Sequence, residues 1–263
     1  MSNRIQEAFA KKAFIPFITA GDQGIATTER YIRTMAEAGA DLLEIGIPFS
    51  DPVAEGPVIQ AASTRALGTG VKTADIFDMV ARLRAGDENH KPVTIPLLFM
   101  TYINPVYVFG KDAFFKRCQE VGIDGIIIPD LPFEEKREIA AFAKDHGVAI
   151  ISLIAPTSEN RIETIAKEAE GFIYCVSSLG VTGVRSEIKT DLQSIVDTIR
   201  KYTDVPVAVG FGISTPDQAH KVAQVADGAI VGSAIVKIVA EHGQKADQAL
   251  ADYVKAMKEA VTA

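Results

Sequence analysis

The sequence predicts an α/β protein whose strand–helix units close into one (β/α)8 barrel. Three observations lead there. First, one unit recurs: an amphipathic stretch, a Gly, a short apolar run, then a polar or Gly/Pro turn. It is seen in Ala36–Gly46, Gln119–Asp130 and Ala143–Pro156, and in shorter form in Asp204–Ile213 and Val225–Ala234. Second, the apolar runs are rich in Ile and Val and do not alternate with polar residues, the pattern of parallel strands buried on both faces. Third, about eight such runs fit into 263 residues, close to the ~250 that a (β/α)8 barrel uses. An open parallel sheet with helices on both faces is the alternative reading of the same pattern.

Taken in order, the strands begin near Phe14, Leu42, Thr94, Gly125, Val148, Phe172, Val207 and Ala229. Helical spacing covers Thr27–Ala38, Glu134–Asp145, Glu159–Glu168 and Asp191–Lys201. Gly39, Gly122 and Gly147 fall where helices would end, because Gly accepts the left-handed C′ conformation. Two helical segments are extra to a plain barrel. Ser2–Lys11 precedes the first strand and would plug the barrel's bottom. Val58–Leu67 and Ala74–Leu83 place two helices after the second strand, broken at Gly68–Lys72. No linker or composition shift divides the chain, so residues 1–263 read as one barrel domain.

Composition narrows the function. Lys plus Arg is 27 and Asp plus Glu is 34, a formal charge of −7, and the pI is near 5.2. That balance argues against nucleic-acid or anionic-membrane partners. Cys118 and Cys175 lie in apolar stretches, as buried free thiols do, and are too few for a disulfide scaffold. The N-terminal residues break their apolar runs with charge, and no run approaches the ~18–20 residues that span a bilayer. The expectation is a soluble cytoplasmic protein.

Barrel enzymes place their chemistry just beyond the C-terminal ends of the strands. In the second unit, DLLEIGIPFSDPVAEGP, alternation puts Leu42, Glu44 and Gly46 on one face of the strand. A carboxylate in a barrel interior is costly unless it is paired or used. Glu44 is therefore either a hydrogen-bonded structural residue or a general acid/base with a raised pKa. The loop that follows carries Asp51 and Glu55 among Pro and Gly. Glu55 is either a solvated loop charge or a second carboxylate reaching over the mouth. Gly210–Ile213 and Val231–Ala234 are glycine turns in the seventh and eighth units. Phosphate sites in barrels recur there, although plain turn chemistry also explains such glycines. The stretch from Ser177 to about Thr190 is long for a strand–helix connection and suits a lid. Tyr174 lies just before it, as a core residue or one whose hydroxyl meets a partner.

Other chemistries fit poorly. His90, His146, His220 and His242 show neither metal-ligand spacing nor a triad pattern. There is no GxxxxGK[ST] loop, and no Lys ends an apolar strand as a Schiff base would require. Acid/base catalysis by carboxylates on a phosphorylated substrate remains.

The run Leu43–Pro57, LEIGIPFSDPVAEGP, closely resembles the signature of the tryptophan synthase α-subunit family. Pro16–Asp22, Gly180–Gly183, Gly210–Ser214 and Gly232–Ala234 are also similar to that family, in order along essentially the whole chain. The resemblance implies a TIM barrel that cleaves indole-3-glycerol phosphate to indole and glyceraldehyde 3-phosphate. It implies that Glu44 is the acid/base residue and that Glu55 is the second acid, where the family most often has Asp. It further implies that Tyr174 orients Glu44, and that Gly183, Gly212, Gly232 and Ser233 hold the phosphate. Phe17, Met100, Ile127, Ile154 and Phe211 would pack the indole ring, and Thr182 would sit on the lid. No cofactor is implied in this chain. The implied partner is a β subunit carrying pyridoxal phosphate, joined in an αββα tetramer through Asp51, Pro52, Asn104, Asp130 and Pro132.

Overall fold

In a computed structural model, which describes residues 4–156, 159–176, 192–210 and 212–263, the buried apolar runs pair as parallel strands of one sheet. They are β1 (Ala13–Thr19), β2 (Leu43–Gly46), β3 (Leu97–Met100), β4 (Gly125–Ile127), β5 (Ala149–Ile150), β6 (Ser152–Ile154), β7 (Ile173–Val176), β8 (Val207–Gly210) and β9 (Gly228–Val231). Their spatial order is β5-β4-β3-β2-β1-β9-β8-β7-β6. The two ends of that order, β5 and β6, are one stretch of chain interrupted only at Ile151. The nine segments thus make eight staves and the sheet closes on itself, as the barrel reading expects. An open sheet would leave its two edge strands far apart.

Two buried layers follow from the closure. Ile15, Leu42, Leu98, Ile127, Ile151, Phe172, Tyr174, Ala208 and Ile230 pack together inside the barrel. The opposite faces of the strands pack against the surrounding helices, with Phe14, Leu43, Ile45, Phe99, Ile126 and Val209 among them. Helix α1 (Arg4–Ala8) closes the bottom. Its Ile5 joins the inner cluster, and Phe9 just beyond it lies 5.3 Å from the Phe172 ring. Asp124, wholly buried, receives Arg4 at 2.8 Å, Arg84 at 2.7 Å and the Leu97 N–H at 3.0 Å, tying the plug to the strands. The same device recurs around the bottom. Asp41, Glu170 and Asp227 accept the N–H groups of Phe14, Ile150 and Val207 at 2.7 to 3.0 Å. Each carboxylate satisfies a strand-end donor that the sheet leaves unpaired.

The helices follow the sequence closely. They are α2 (Ile25–Glu37), α3 (Pro57–Gly68), α4 (Thr73–Ala85), α5 (Ile103–Phe109), α6 (Lys111–Val121), α7 (Arg137–Asp145), α8 (Glu159–Lys167), α9 (Leu192–Arg200), α10 (Pro216–Val225), α11 (Ser233–His242) and α12 (Asp247–Thr262). The pair α3 and α4 is the expected insertion after the second strand. Thr215 caps α10 with a capping box to Gln218 and Pro216 at its first position, the arrangement that satisfies otherwise orphaned N–H groups. Among the described residues, no helix is long and apolar enough to cross a membrane.

Candidate active site

Glu44 sits in β2 between Leu43 and Ile45, which face the helices, so it points into the barrel. It pairs in register with Phe17 of β1 and Leu98 of β3. It is 1% exposed, and its Oε1 meets no hydrogen-bond partner among the described residues. Burial alone lifts its carboxyl to about 8, so at neutral pH the group keeps its proton. Tyr174 of β7 is also buried inside the barrel, and its hydroxyl is held well above the usual range, first by burial and then by the charge of Glu44.

Two interior glycines make room for the aromatic walls. A Cβ on Gly46 would stand 2.5 Å from the Phe17 ring, and one on Gly210 would overlap Tyr174. Both rings therefore need glycine on a neighbouring strand.

Above them opens a small cavity of about 40 Å³. Phe17, Ile59, Met100, Ile213 and Ile230 supply apolar wall, and Glu44 and Tyr174 supply the polar groups at its base. Gly212, Gly232 and Ser233 complete the lining, with Gly232 close beside Phe17 and Ile59. Gly212 has φ of +83°, a conformation natural to glycine. Gly232 is the N-cap of α11 and Ser233 its first residue. The free N–H groups of that first turn and the positive end of the helix dipole suit a phosphate. No Lys or Arg is among the described lining residues. Anion binding there would come from backbone donors.

Glu55 is part-buried on the loop between β2 and α3, and burial raises its carboxyl to about 7. Its Oε2 is buried without a partner among the described residues. It does not line the cavity with Glu44. Its charge instead bears on Tyr102, whose hydroxyl accepts the Ala54 N–H at 3.1 Å and whose ring lies tilted against Phe49 with centroids 5.3 Å apart. Buried side-chain atoms without a partner among the described residues number three: Glu44 Oε1, Glu55 Oε2 and Thr19 Oγ1. All three lie at the upper ends of β1 and β2 or in the loop after β2. Such atoms cost stability when nothing binds them, so their clustering marks the site.

The remaining expected positions divide. Ile127 is in the inner layer but does not line the cavity. Ile154 is corrected: it packs in the outer layer, and Leu153 takes the inward place on β6. The parity of this stave runs through Ile151, Leu153 and Ala155, and a one-residue offset moves a side chain to the other face. Ile59, Ile213, Ile230 and Thr19 were missed. Thr19 carried a signal, lying two residues after Phe17 on the same face of an apolar strand. Thr182, Gly183 and Phe211 lie outside the described residues. At the rim, Asp51, Asn104 and Pro132 are exposed, Pro52 is partly so, and Asp130 accepts the Ile103 N–H at 3.0 Å. They follow β2, β3 and β4, which are neighbours, so they share one sector. Val53 at 74% exposure in the loop after β2, and Tyr107 at 43% and Val108 at 80% on α5 after β3, add apolar surface to the same sector.

The family described as "Tryptophan synthase alpha chain" matches residues 4–262. The chain belongs to this family. The tryptophan synthase alpha chain of Lacticaseibacillus casei is 50% identical over 252 residues, covering 96% of this chain and 92% of that one. That of Thermoanaerobacter sp. (strain X514) is 45% identical over 265 residues, covering 98% and 99%. Among solved structures, Mycobacterium tuberculosis tryptophan synthase superposes with a TM-score of 0.89 at 30% identity, with both chains fully covered. The α subunit from Legionella pneumophila gives 0.86 at 34%, covering 99% of each. The chain is thus an α-chain lyase of tryptophan biosynthesis, which cleaves indole-3-glycerol phosphate, and the family barrel is the one its own strands build.

Proposed function

We propose that Glu44 and Glu55 carry out this retro-aldol cleavage in the cavity at the barrel mouth, with the phosphate on Gly212, Gly232 and Ser233. The phosphate end would lie at the first turn of α11, and the indole ring against Phe17 and Met100. Gly183 and Phe211 join these two subsites by resemblance.

Breaking the bond from indole C3 to the glycerol chain needs somewhere for its electron pair to go, and the intact aromatic ring accepts it poorly. Glu44, protonated at neutral pH because it is buried, donates its proton to C3. Glu55 takes the proton from N1, which leaves an indolenine with a C2=N1 double bond. The pair from the breaking bond then forms C2=C3, and N1 recovers its proton from Glu55. Glu44, now a carboxylate, removes the proton of the hydroxyl next to the breaking bond, and that carbon becomes the aldehyde of glyceraldehyde 3-phosphate. Tyr174 keeps the Glu44 side chain oriented. Glu55 reaches the ring when the β2 loop moves inward over bound substrate, and Thr182 is by resemblance a lid residue. Each proton transfer contributes on the order of 10²–10⁴ in rate.

No step in this scheme calls for a metal or cofactor in this chain. The partner is a β subunit bearing pyridoxal phosphate, docked on the rim of Asp51, Pro52, Asn104, Asp130 and Pro132 in an αββα tetramer. It takes up indole directly, so that an apolar neutral intermediate is not lost to solvent. The observation that carries the reading is a fully buried glutamic acid, unpartnered among the described residues, at the base of an apolar cavity that ends in a helix N-terminus. The test is indole release from indole-3-glycerol phosphate by the purified chain, with and without a β subunit. Slow release that the partner accelerates is expected. Turnover of a sugar phosphate with no indole from indole-3-glycerol phosphate contradicts it.

A further inference from the structure

Asp22 lies in the turn just after β1 and is 2% exposed, yet it is acidic. Arg65 of α3 answers it with two parallel hydrogen bonds, Nε to Oδ1 at 2.9 Å and Nη2 to Oδ2 at 2.7 Å. The bond to Asp22 raises the Arg65 guanidinium further above its ordinary range. The bidentate fork fixes direction as well as distance, which a lysine in the same place would not do.

Its position gives it consequence. Asp22 follows β1, the strand that carries Phe17 and Thr19. Arg65 sits in the last turn of α3, whose first residue, Pro57, comes two residues after Glu55. Pro57 and Arg65 are eight residues apart, so the fork acts about 12 Å along a rigid helix from its first turn. The inner face of that helix also bears on the site, because Ile59 lines the cavity and packs with Phe17, Ala62 and Val236.

We propose that the Asp22–Arg65 ion pair is a positioning device for the catalytic loop: it sets the direction of α3, and through it the placement of Glu55 over the barrel mouth. The proposal rests on the role given to Glu55 above. Neither residue touches the cavity, so both act through α3. Looser forks let the first turn of α3 wander, and sub-ångström displacement of a reacting group lowers turnover without loss of binding.

The experiment is a mutant cycle on the full chain with its β subunit, read by indole release. Arg65→Lys keeps the charge opposite Asp22 but removes the fork, so it folds even where Arg65→Met does not. Expected for Arg65→Lys are a kcat lowered on the order of tenfold, a KM for indole-3-glycerol phosphate within about twofold of the parent, and a little-changed thermal midpoint. Arg30→Lys, which alters a surface pair with Asp247, should leave kcat at the parental value. The deciding arm combines Arg65→Lys with Glu55→Gln. If Arg65 acts through Glu55, the double variant is no slower than Glu55→Gln alone. Multiplied losses, or an Arg65→Lys variant at the parental kcat, overturn the proposal while leaving the role of Glu55 intact. A Glu55→Gln variant at the parental kcat overturns both.

Discussion

Glu44 shows how burial turns an ordinary carboxylate into a neutral-pH acid. Its carboxyl titrates at about 8 and that of Glu55 at about 7. In the proposed mechanism, turnover needs Glu44 protonated and Glu55 ionised. The rate should therefore rise as pH passes about 7 and fall as it passes about 8, a bell-shaped profile. Glu55→Gln should remove the acid limb of the kcat/KM profile. The same shift acts on stability. The unfolded carboxyl of Glu44 loses its proton near 4.5, the native one near 8. Between those values the native state binds the extra proton, so stability is fully present below about 4.5 and is lost as pH rises, by on the order of 1.4 kcal/mol per unit. Glu44→Gln, neutral throughout, should flatten that slope. Urea unfolding at pH 5.5 and 8.0 measures it, and the variant should be the more stable of the two proteins at pH 8.0. Glu44 was readable from the sequence because a charge inside an apolar strand stands out. Thr19 was not singled out, because a threonine in a strand is ordinary until its hydroxyl is seen to lack a partner among the described residues.

Elements were legible where period and punctuation agreed. The extra helices, expected at Val58–Leu67 and Ala74–Leu83, are Pro57–Gly68 and Thr73–Ala85. The third strand was expected near Thr94 but begins at Leu97, because Pro96 lacks the N–H that a central strand would donate. Glu134 and Glu135 belong to a short 3-10 turn ahead of α7, which a charge-rich helical pattern does not distinguish from the helix itself. The break of the fifth stave at Ile151 was invisible, and with it the inward place of Leu153. The carboxylates beneath the strands also have no sequence signature, since each acts on a backbone N–H of a distant residue. Asp41→Ala should lower stability by about 1–3 kcal/mol, since it frees both the Phe14 N–H and Lys258. Asp124→Ala should cost about 3–5 kcal/mol, because it strands Arg84 inside the fold. Chemical denaturation of the two variants ranks them.

At the scale of the molecule, the barrel gathers on one rim what lies far apart in the chain. Phe17, Glu44, Met100, Tyr174, Gly212 and Ser233 come from four strands, the loop after β8 and the first turn of one helix. The closure that does this was legible in the count of units, but the shared sector formed by the segments after β2, β3 and β4 needed the strand order. That sector carries the exposed Val53, Tyr107 and Val108, an apolar patch of the kind that marks a docking surface. Val53→Asp and Val108→Asp together should weaken β-subunit binding at least tenfold by calorimetry, with the circular dichroism of the chain unchanged. Unaltered binding would move the partner to another face.

The central claim is that Glu44 supplies the proton that makes indole C3 a leaving position. The direct measurement is the rate of indole release by Glu44→Gln against the parent, both saturated with indole-3-glycerol phosphate and β subunit. Gln has nearly the same shape and cannot donate that proton, so the rate should fall by about 10²–10⁴ while substrate binding persists. A Glu44→Gln protein that binds substrate and releases indole at the parental rate would contradict the assignment.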